Sequence, residues 1–407
     1  MPKRIYWDHA ATTPLHSCVR EVMTSPEILD LFGNPSSLHQ EGQKIKRYMT
    51  KAWQTIYACL EVPEGTLGVL TGGGTASDNL AVLGVMRRLK QDAGLTGEPF
   101  KRHVIVTSAF EHPAVLEAAQ HLATHEGYHH AMLPVTSEGF VLPETLEACL
   151  QRYEGQVGLV SVMHAHNEVG SIQPIAQLSH LAHQYGALFH TDAVQTVGKL
   201  KVSMEALGVD YLSFSGHKLY GPKGTGVLLI HPNAPRPLPL TFGGGQQHAL
   251  RPGTENTLGL LGLSTALQYC DEHLASHKAH LRHLAQVLHT AVLQELSPWA
   301  TLHGTDDFTY RLPGHLNYAF TYGDAMNRRP IEGESMVLKL ALKGIAVSSG
   351  SACHSSALAP SDALLAMGVP MVQAQSSLRF SLGIENTLEE IPLVVATLRR
   401  ILEKHVL

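Results

Sequence analysis

The 407-residue sequence has few charged side chains and no long hydrophobic run. Charged residues make up 16% of the chain, and no apolar stretch approaches the roughly 20 residues that a membrane-spanning helix needs. The formal net charge of -5 argues against a surface built to coat nucleic acid. The first residues lack the apolar core of a signal peptide. We therefore expect a soluble protein with no membrane partner and no direct nucleic-acid partner.

Cysteine is also scarce, with five residues scattered along the chain without paired spacing. An odd, unpaired set predicts free thiols in a reducing compartment, and we expect a cytoplasmic location. Four of them are predicted to be inert core residues, namely Cys18, Cys59, Cys149 and Cys270. Cys353 differs because it has serine, glycine and alanine before it and histidine and serine after it, which predicts an exposed loop carrying a nucleophilic thiol.

Histidine is abundant, with 26 residues, but its pattern does not predict a resident metal. His273, His277 and His280 share one face of a predicted helix, and no carboxylate or cysteine completes a ligand set. We interpret this face as solvated.

Strand and helix patterns alternate through the first two thirds of the chain, which is typical of an α/β fold. Strands are predicted at 104–107, 157–163, 187–190 and 211–214, and each is followed by polar residues. Open α/β sheets bind ligands at the carboxyl ends of their strands. Four such ends in succession predict a binding site.

A glycine-rich loop follows another predicted strand, at 66–70. The run from Thr71 to Thr75 contains three glycines and precedes a predicted helix at 76–89. Bare backbone N–H groups at a helix start can hold phosphate. The spacing fits neither the dinucleotide fingerprint nor the P-loop, and a simple tight turn remains an alternative.

Lys218 stands at the end of the segment Ser213-Phe-Ser-Gly-His-Lys218. Gly221, Pro222 and Gly224 follow and predict a rigid turn. A lysine so placed suits a Schiff base with pyridoxal phosphate, although an exposed turn lysine is the usual meaning of such a segment on its own. Asp192 would then bind the ring nitrogen, and His112 would lie on the ring face and carry protons.

The other candidate ligands of this cofactor lie at the same strand ends and in the glycine loop. Hydrogen bonds to the ring oxygen are predicted from Asn167 and Gln195, and a phosphate cup from Gly74, Thr75, Ser215 and His217. Arg379 lies in a strand-like run, where it would bind a substrate carboxylate or form an internal ion pair. Asn34 would bind a carboxylate or make a local turn, and its spacing does not decide between them.

Taken in order, these motifs resemble the cysteine desulfurases of the NifS/IscS type, in the class V branch of fold-type I pyridoxal-phosphate enzymes. The resemblance covers nearly the whole chain. It is carried by Ala11-Thr-Thr-Pro14, Gly33-Asn-Pro-Ser-Ser37, Gly72-Gly-Gly-Thr75, Glu111-His112, His164-Ala-His-Asn-Glu168, Asp192-Ala-Val-Gln195, Ser215-Gly-His-Lys218, Arg251-Pro-Gly-Thr-Glu-Asn256, Ser348-Ser-Gly-Ser-Ala-Cys353 and Arg379-Phe-Ser-Leu-Gly383.

The resemblance implies a large domain with a mostly parallel seven-stranded sheet flanked by helices, and a smaller α+β domain. We place the large domain at 15–260 and the small one at 1–14 and 261–407, with a mobile cysteine loop at about 345–360. The resemblance also implies a homodimer in which Thr254 reaches the phosphate of the neighbouring subunit. Asn34 and Arg379 would bind the carboxylate of L-cysteine.

The implied reaction converts L-cysteine to L-alanine and leaves a persulfide on Cys353, which passes sulfur to an acceptor or scaffold protein. Iron–sulfur assembly, tRNA thiolation and DNA phosphorothioation all use such enzymes, and Cys353 would be at most a transient iron–sulfur ligand. The loop length resembles the group I form. The chain departs from the family's usual residues at Ala76, Asp78, His166, Gln247 and His354.

Three other functions compete with this one. Another class V activity, such as an aminotransferase or a lyase for selenocysteine or cysteine sulfinate, has less need of a mobile thiol. A scaffold without catalysis would not need Lys218 and Asp192. A nucleic-acid binder is disfavoured because no basic run is present.

Overall fold

The computed structural model describes residues 4–97, 99–323, 329–349 and 360–406. Its strands are β1 (Ile5–Tyr6), β2 (Leu67–Thr71), β3 (Val104–Ser108), β4 (His129–Leu133), β5 (Val157–Ser161), β6 (Leu188–Asp192), β7 (Tyr211–Ser215), β8 (Gly226–Ile230), β9 (Ala300–Leu302), β10 (His315–Tyr322), β11 (Arg329–Pro330), β12 (Ile345–Ala346), β13 (Ser348–Ser349) and β14 (Ser377–Ser381). Its helices are α1 (Ser17–Thr24), α2 (Pro26–Leu29), α3 (Gln40–Cys59), α4 (Gly74–Thr96), α5 (Pro113–His125), α6 (Pro143–Arg152), α7 (Ile175–Gln184), α8 (Met204–Leu207), α9 (Thr257–Glu272), α10 (Leu274–Leu296), α11 (Gly333–Ala341), α12 (Asp362–Ala366), α13 (Met371–Gln375) and α14 (Glu390–Val406).

Seven strands form the larger sheet, in the order β2-β8-β7-β6-β5-β3-β4. All neighbouring pairs are parallel except those of β8, which is antiparallel to both β2 and β7. Successive side chains of β3 enter different cores: Val104 and Val106 join one hydrophobic cluster and Ile105 joins another. This alternation places apolar layers on both faces, as helix-covered parallel sheets require. The predicted fold class is confirmed.

A second sheet contains β11-β10-β14-β13, with β9 also paired to β10. Each of these pairs is antiparallel. Its hydrophobic cluster draws on α10, α11 and α14, through residues such as Leu284, Met336 and Leu398. Helix α9, by contrast, contributes Leu260 and Leu267 to a cluster of the larger sheet. The division of the chain at residues 260 and 261 stays a prediction.

The amino-terminal segment joins the small-sheet region to the turn that carries Lys218. Ile5 pairs with Ile345 in a short parallel ladder, and Asp8 bridges to Ser381 at the end of β14. Only a few residues later, the N–H of Thr13 donates to the carbonyl of His217 at 2.9 Å. The residues between these anchors are therefore held beside the lysine.

Two parts of the fold differ from the sequence pattern. Strand β4 begins at His129, a residue to which we assigned no role, and it forms an edge of the larger sheet. The sequence has a helical pattern that runs without a break from 258 to 296, whereas the structure divides this stretch at His273 into α9 and α10. Within the described ranges, no helix is long and apolar enough to cross a membrane.

Candidate active site

A cavity of about 280 Å³ opens at the carboxyl ends of β5, β6 and β7, beside the first turn of α4. This position is where a parallel sheet collects functional groups from separate strands. Ten residues selected from the sequence line it: Gly74, Thr75, His112, Asn167, Asp192, Gln195, Ser215, His217, Lys218 and Arg379. Their proposed roles stay predictions, but the fold brings them together.

Lys218 ends a short 3₁₀ turn, Gly216–Lys218, directly after β7. Its Nζ donates to the carbonyls of Ala10 and Ala11, at 2.5 and 2.9 Å. The turn is tight: a Cβ added at Gly216 would lie 2.4 Å from the hydroxyl of Thr225. Only glycine fits there, so the backbone fixes where the lysine begins and the two carbonyls fix where its amine ends.

Asp192, which is buried, and His112, which is partly buried, are two titratable groups that line the same cavity as Lys218. Burial raises the pKa of Asp192, and the charges of His112 and Lys218 oppose that rise. Burial also lowers the pKa of His112, against the attraction of Asp192. His112 caps α5, because its Nδ1 accepts from the N–H of Ala114 at 3.1 Å. The neutral ring therefore carries its proton on Nε2.

Asp78 is a second buried carboxyl in this cavity, and sequence reasoning treated it only as a departure from the family pattern. It follows Gly74 by four residues on α4, so both lie on one helix face. Burial and then the charge of Asp192 raise its pKa well above the ordinary value. Its Oδ1 has no hydrogen-bond partner among the described residues and lies 3.7 Å from Nε2 of His190. This i, i+4 spacing from the glycine loop could have identified it.

The start of α4 lies where the phosphate cup was predicted. Its N-cap residue, Gly73, has no side chain to accept from the N–H groups of the first turn, so these groups are left for a ligand. A Cβ built at Gly72 or Gly73 would meet no described atom within 4 Å. The opening beside these glycines is also lined by His217 and Lys223. Together these groups favour an anion.

Arg379 forms the internal ion pair that was one of its two predicted alternatives, and its binding of a substrate carboxylate stays a prediction. It forms an ion pair with Asp8, with NH2 and Oδ1 2.9 Å apart, and its NH1 donates to the carbonyl of Asn167 at 3.0 Å. Its Nε is buried without a hydrogen-bond partner in the described part of the chain, and the side chain borders the cavity. The internal pair is therefore present, and one donor remains for a carboxylate.

Two predicted site residues among the described ranges do not line this cavity. Asn34 accepts from the N–H of Ser36 at 2.9 Å, which is the local turn considered as its alternative. Thr254 is exposed and is absent from the lining. Cys353, like His354, lies outside the described residues. Of the cysteines expected in the core, Cys59 and Cys270 are buried, whereas Cys18 and Cys149 are only partly buried.

Glu111, next to His112, is a buried carboxyl with an elevated pKa. Ser108 donates to its Oε1, as does the N–H of Met163 at 3.0 Å, and Oε2 has no partner in the described ranges. Burial raises its pKa from 4.5 to about 8. Because the folded value is the higher one, its contribution to stability is complete below pH 4.5 and is lost as pH rises toward 8.

We expect Glu111→Gln to remove this pH dependence. The unfolding free energy of Glu111→Gln minus that of the parent should be about 3 kcal/mol larger at pH 8.5 than at pH 5.5, because each pKa unit corresponds to about 1.4 kcal/mol. Thermal unfolding of both proteins at the two pH values measures the difference. The exposed Glu117→Gln serves as the control. A gain that is equal at both pH values would contradict the prediction.

The comparisons with known proteins agree with this geometry. A family model described as aminotransferase class-V matches residues 5–394. A cysteine desulfurase IscS of Dictyoglomus turgidum is 39% identical over 404 residues, which cover 99% of this chain and 96% of that protein. A solved NifS-like protein superposes with a TM-score of 0.85 at 32% identity, covering 98% of this chain and 100% of that one.

A further solved structure, of SspA in complex with cysteine, matches with a TM-score of 0.75 at 28% identity. It covers 95% of this chain and 100% of that one. The family match spans both sheets of the fold and every described residue of the cavity. On these grounds, the chain belongs to the class V aminotransferase family, among the cysteine desulfurases of the NifS/IscS type.

Proposed function

We propose that this protein is a pyridoxal-phosphate-dependent L-cysteine desulfurase that forms L-alanine and transfers sulfur through a persulfide on Cys353. The single observation that carries the proposal is the cavity in which Lys218, Asp192 and His112 meet next to the open start of α4. An amine, a carboxyl, an imidazole and an anion cup are the four groups that pyridoxal phosphate needs from its protein.

The residues present fit this cofactor. Lys218 would hold its aldehyde carbon, Asp192 its ring nitrogen, and the first turn of α4 its phosphate. Oδ1 of Asp78 has no hydrogen-bond partner among the described residues, so a polar atom is left for a ligand. A Cβ built at Gly72 or Gly73 would meet no described atom within 4 Å, so there is also space for a ligand. When bound, the cofactor supplies an electron sink for the substrate carbon.

The protein's own groups would handle the substrate and its protons. Arg379 would bind the carboxylate of cysteine through its unpartnered Nε and neighbouring guanidinium edge. His112, neutral and with its proton on Nε2, would hold a proton at the ring face, and Lys218 would move a proton at the substrate Cα. Ala10 and Ala11 orient the lysine amine through their carbonyls.

The chain on either side of Cys353 is anchored to residues of the cavity region. Before it, Ser348 of β13 pairs with Arg379 of β14. After it, Ser361 lies close enough to Glu168, the residue next to Asn167, to oppose the rise that burial causes in the pKa of that carboxyl. Both anchors lie within eight positions of Cys353, and n extended residues span at most about 3.5 Å each. The thiol is therefore tethered to the site that it would serve.

We propose a homodimer as the functional form. Phe32, Leu38 and Phe242 are 83%, 93% and 88% exposed, and a second copy would bury them. Thr254 lies eleven residues after Gly243 on a loop away from its own cavity, which fits its proposed role at the neighbouring subunit's phosphate. A monomeric mass in sedimentation of the holoenzyme would contradict this proposal.

The four free described thiols fit a reducing cytoplasm.

The proposed function is tested by the visible spectrum of the purified protein before and after L-cysteine is added. We expect a cofactor band that changes on addition, with alanine formed in step with sulfide or persulfide. A protein without the band would contradict the cofactor proposal. A coloured protein that prefers cysteine sulfinate, or releases pyruvate instead of alanine, would favour another class V reaction.

A further inference from the structure

His166 is a buried histidine that no step above has used. It is 1% exposed. It lies in the loop that follows β5, directly before Asn167, whose side chain borders the cavity. Its neighbour across the loop is Phe110, two residues before His112.

The ring makes two kinds of contact. Within its own loop, Nδ1 accepts from the N–H groups of Glu168 and Val169, at 3.2 and 3.3 Å. Toward the other loop, it stacks on Phe110, with ring centroids 4.5 Å apart and planes inclined by 8°.

The two loops carry different parts of the site. The Phe110 loop leads into His112, which faces the cavity and caps α5. The His166 loop presents Asn167, whose carbonyl accepts from Arg379. Since Nδ1 is an acceptor, the neutral ring carries its proton on Nε2. One imidazole thus caps backbone groups of its own loop and stacks on an aromatic ring of the other.

We propose that His166 is a positioning residue that sets the distance between His112 and Asn167 by joining their loops. The inference rests on the proposed function, because it concerns where the groups facing the ring and its oxygen are held. An asparagine at this position could still cap the Glu168 turn through its side-chain oxygen. It has no ring to stack on Phe110.

The test compares His166→Asn with His303→Asn. His303 is also buried, 4% exposed, and contacts Asn317 instead of either loop. Both variants are expected to lower the melting temperature. Only H166N should also reduce kcat by roughly tenfold, because small misplacements of catalytic groups carry costs of this order or larger. Only H166N should increase, by several-fold, the rate at which holoenzyme loses its cofactor during dialysis.

The outcomes separate this inference from the proposed function. If the parent protein binds no cofactor or forms no alanine, the proposed function fails. If the parent is active and H166N keeps its kcat and cofactor retention, or changes only as much as H303N, the positioning role is wrong. Should H166N not fold, Phe110→Leu removes the stacked ring and keeps the backbone. The same pattern at smaller size would then support the role, and its absence would overturn it.

Discussion

Alanine formation is expected to fall by at least a thousandfold when Lys218 is replaced by alanine. The visible band of lysine-bound cofactor should vanish with it, because the cavity would have lost the amine that holds the cofactor aldehyde. The amine hydrogen-bonds to the carbonyls of Ala10 and Ala11, so its position is fixed before any ligand arrives. No flexible surface lysine is equivalent to it.

The Lys218→Ala experiment needs a lysine control and a test of folding. Lys201 is half-exposed and pairs with Glu61 at 3.0 Å, so Lys201→Ala should retain both colour and activity. Circular dichroism should show that both variants keep the parent fold. A Lys218→Ala protein that still shows the lysine-type band and still forms alanine would overturn the assignment of this lysine.

Replacing Cys353 by serine is expected to separate cofactor binding from sulfur removal. The thiol sulfur would attack the sulfur of bound cysteine: an S–S bond forms, the substrate C–S bond breaks, and its electron pair stays with carbon, which takes a proton to become alanine. The enzyme thiol gains the sulfur as a persulfide, so no outside oxidant is required. A hydroxyl cannot do this, and we expect a loss of a thousandfold or more in alanine formation.

The Cys353→Ser protein should nevertheless keep its band and the spectral response to cysteine, since Lys218, Asp192 and Arg379 are intact. Cys149→Ser, a partly buried thiol on α6, is the matched control and should remain active. Full activity of Cys353→Ser would favour a class V lyase or aminotransferase. Loss of colour would show instead that the serine disturbs the cofactor cavity.

The buried strands were the most predictable part of the fold. Strands β3, β5 and β7 begin where the sequence predicted, because each is a short apolar run bounded by polar or turn residues. Strand β4 was missed, since it opens with His129 and His130 and only its last residue, Leu133, is buried. An edge strand gains its structure from its neighbour's hydrogen bonds, which its own sequence does not reveal.

The site divides in a similar way. Residues at strand ends, such as Asp192 and Lys218, could be grouped in advance because parallel strands present their carboxyl ends to one edge. Asp78 was not grouped with them, although its i, i+4 spacing from Gly74 puts both residues on one face of α4. The ion-pair partner of Arg379 could not be predicted either. The pair with Asp8 joins positions 371 residues apart, and no local sequence pattern indicates such a partner.

The site can be completed only late in synthesis, because the amino-terminal segment beside Lys218 pairs with residues near the end of the chain. Ala10 and Ala11, whose carbonyls accept from the lysine amine, follow strand β1, which pairs with Ile345–Ala346. Asp8 forms an ion pair with Arg379 and a bridge to Ser381. Lys218 leaves the ribosome more than a hundred residues before any of these partners. A nascent chain stopped short of β12 therefore holds every strand of the large sheet, yet β1 still lacks its partner strand and Asp8 still lacks Arg379 and Ser381. The surroundings of Lys218 can therefore be completed only after nearly the whole chain has been synthesised.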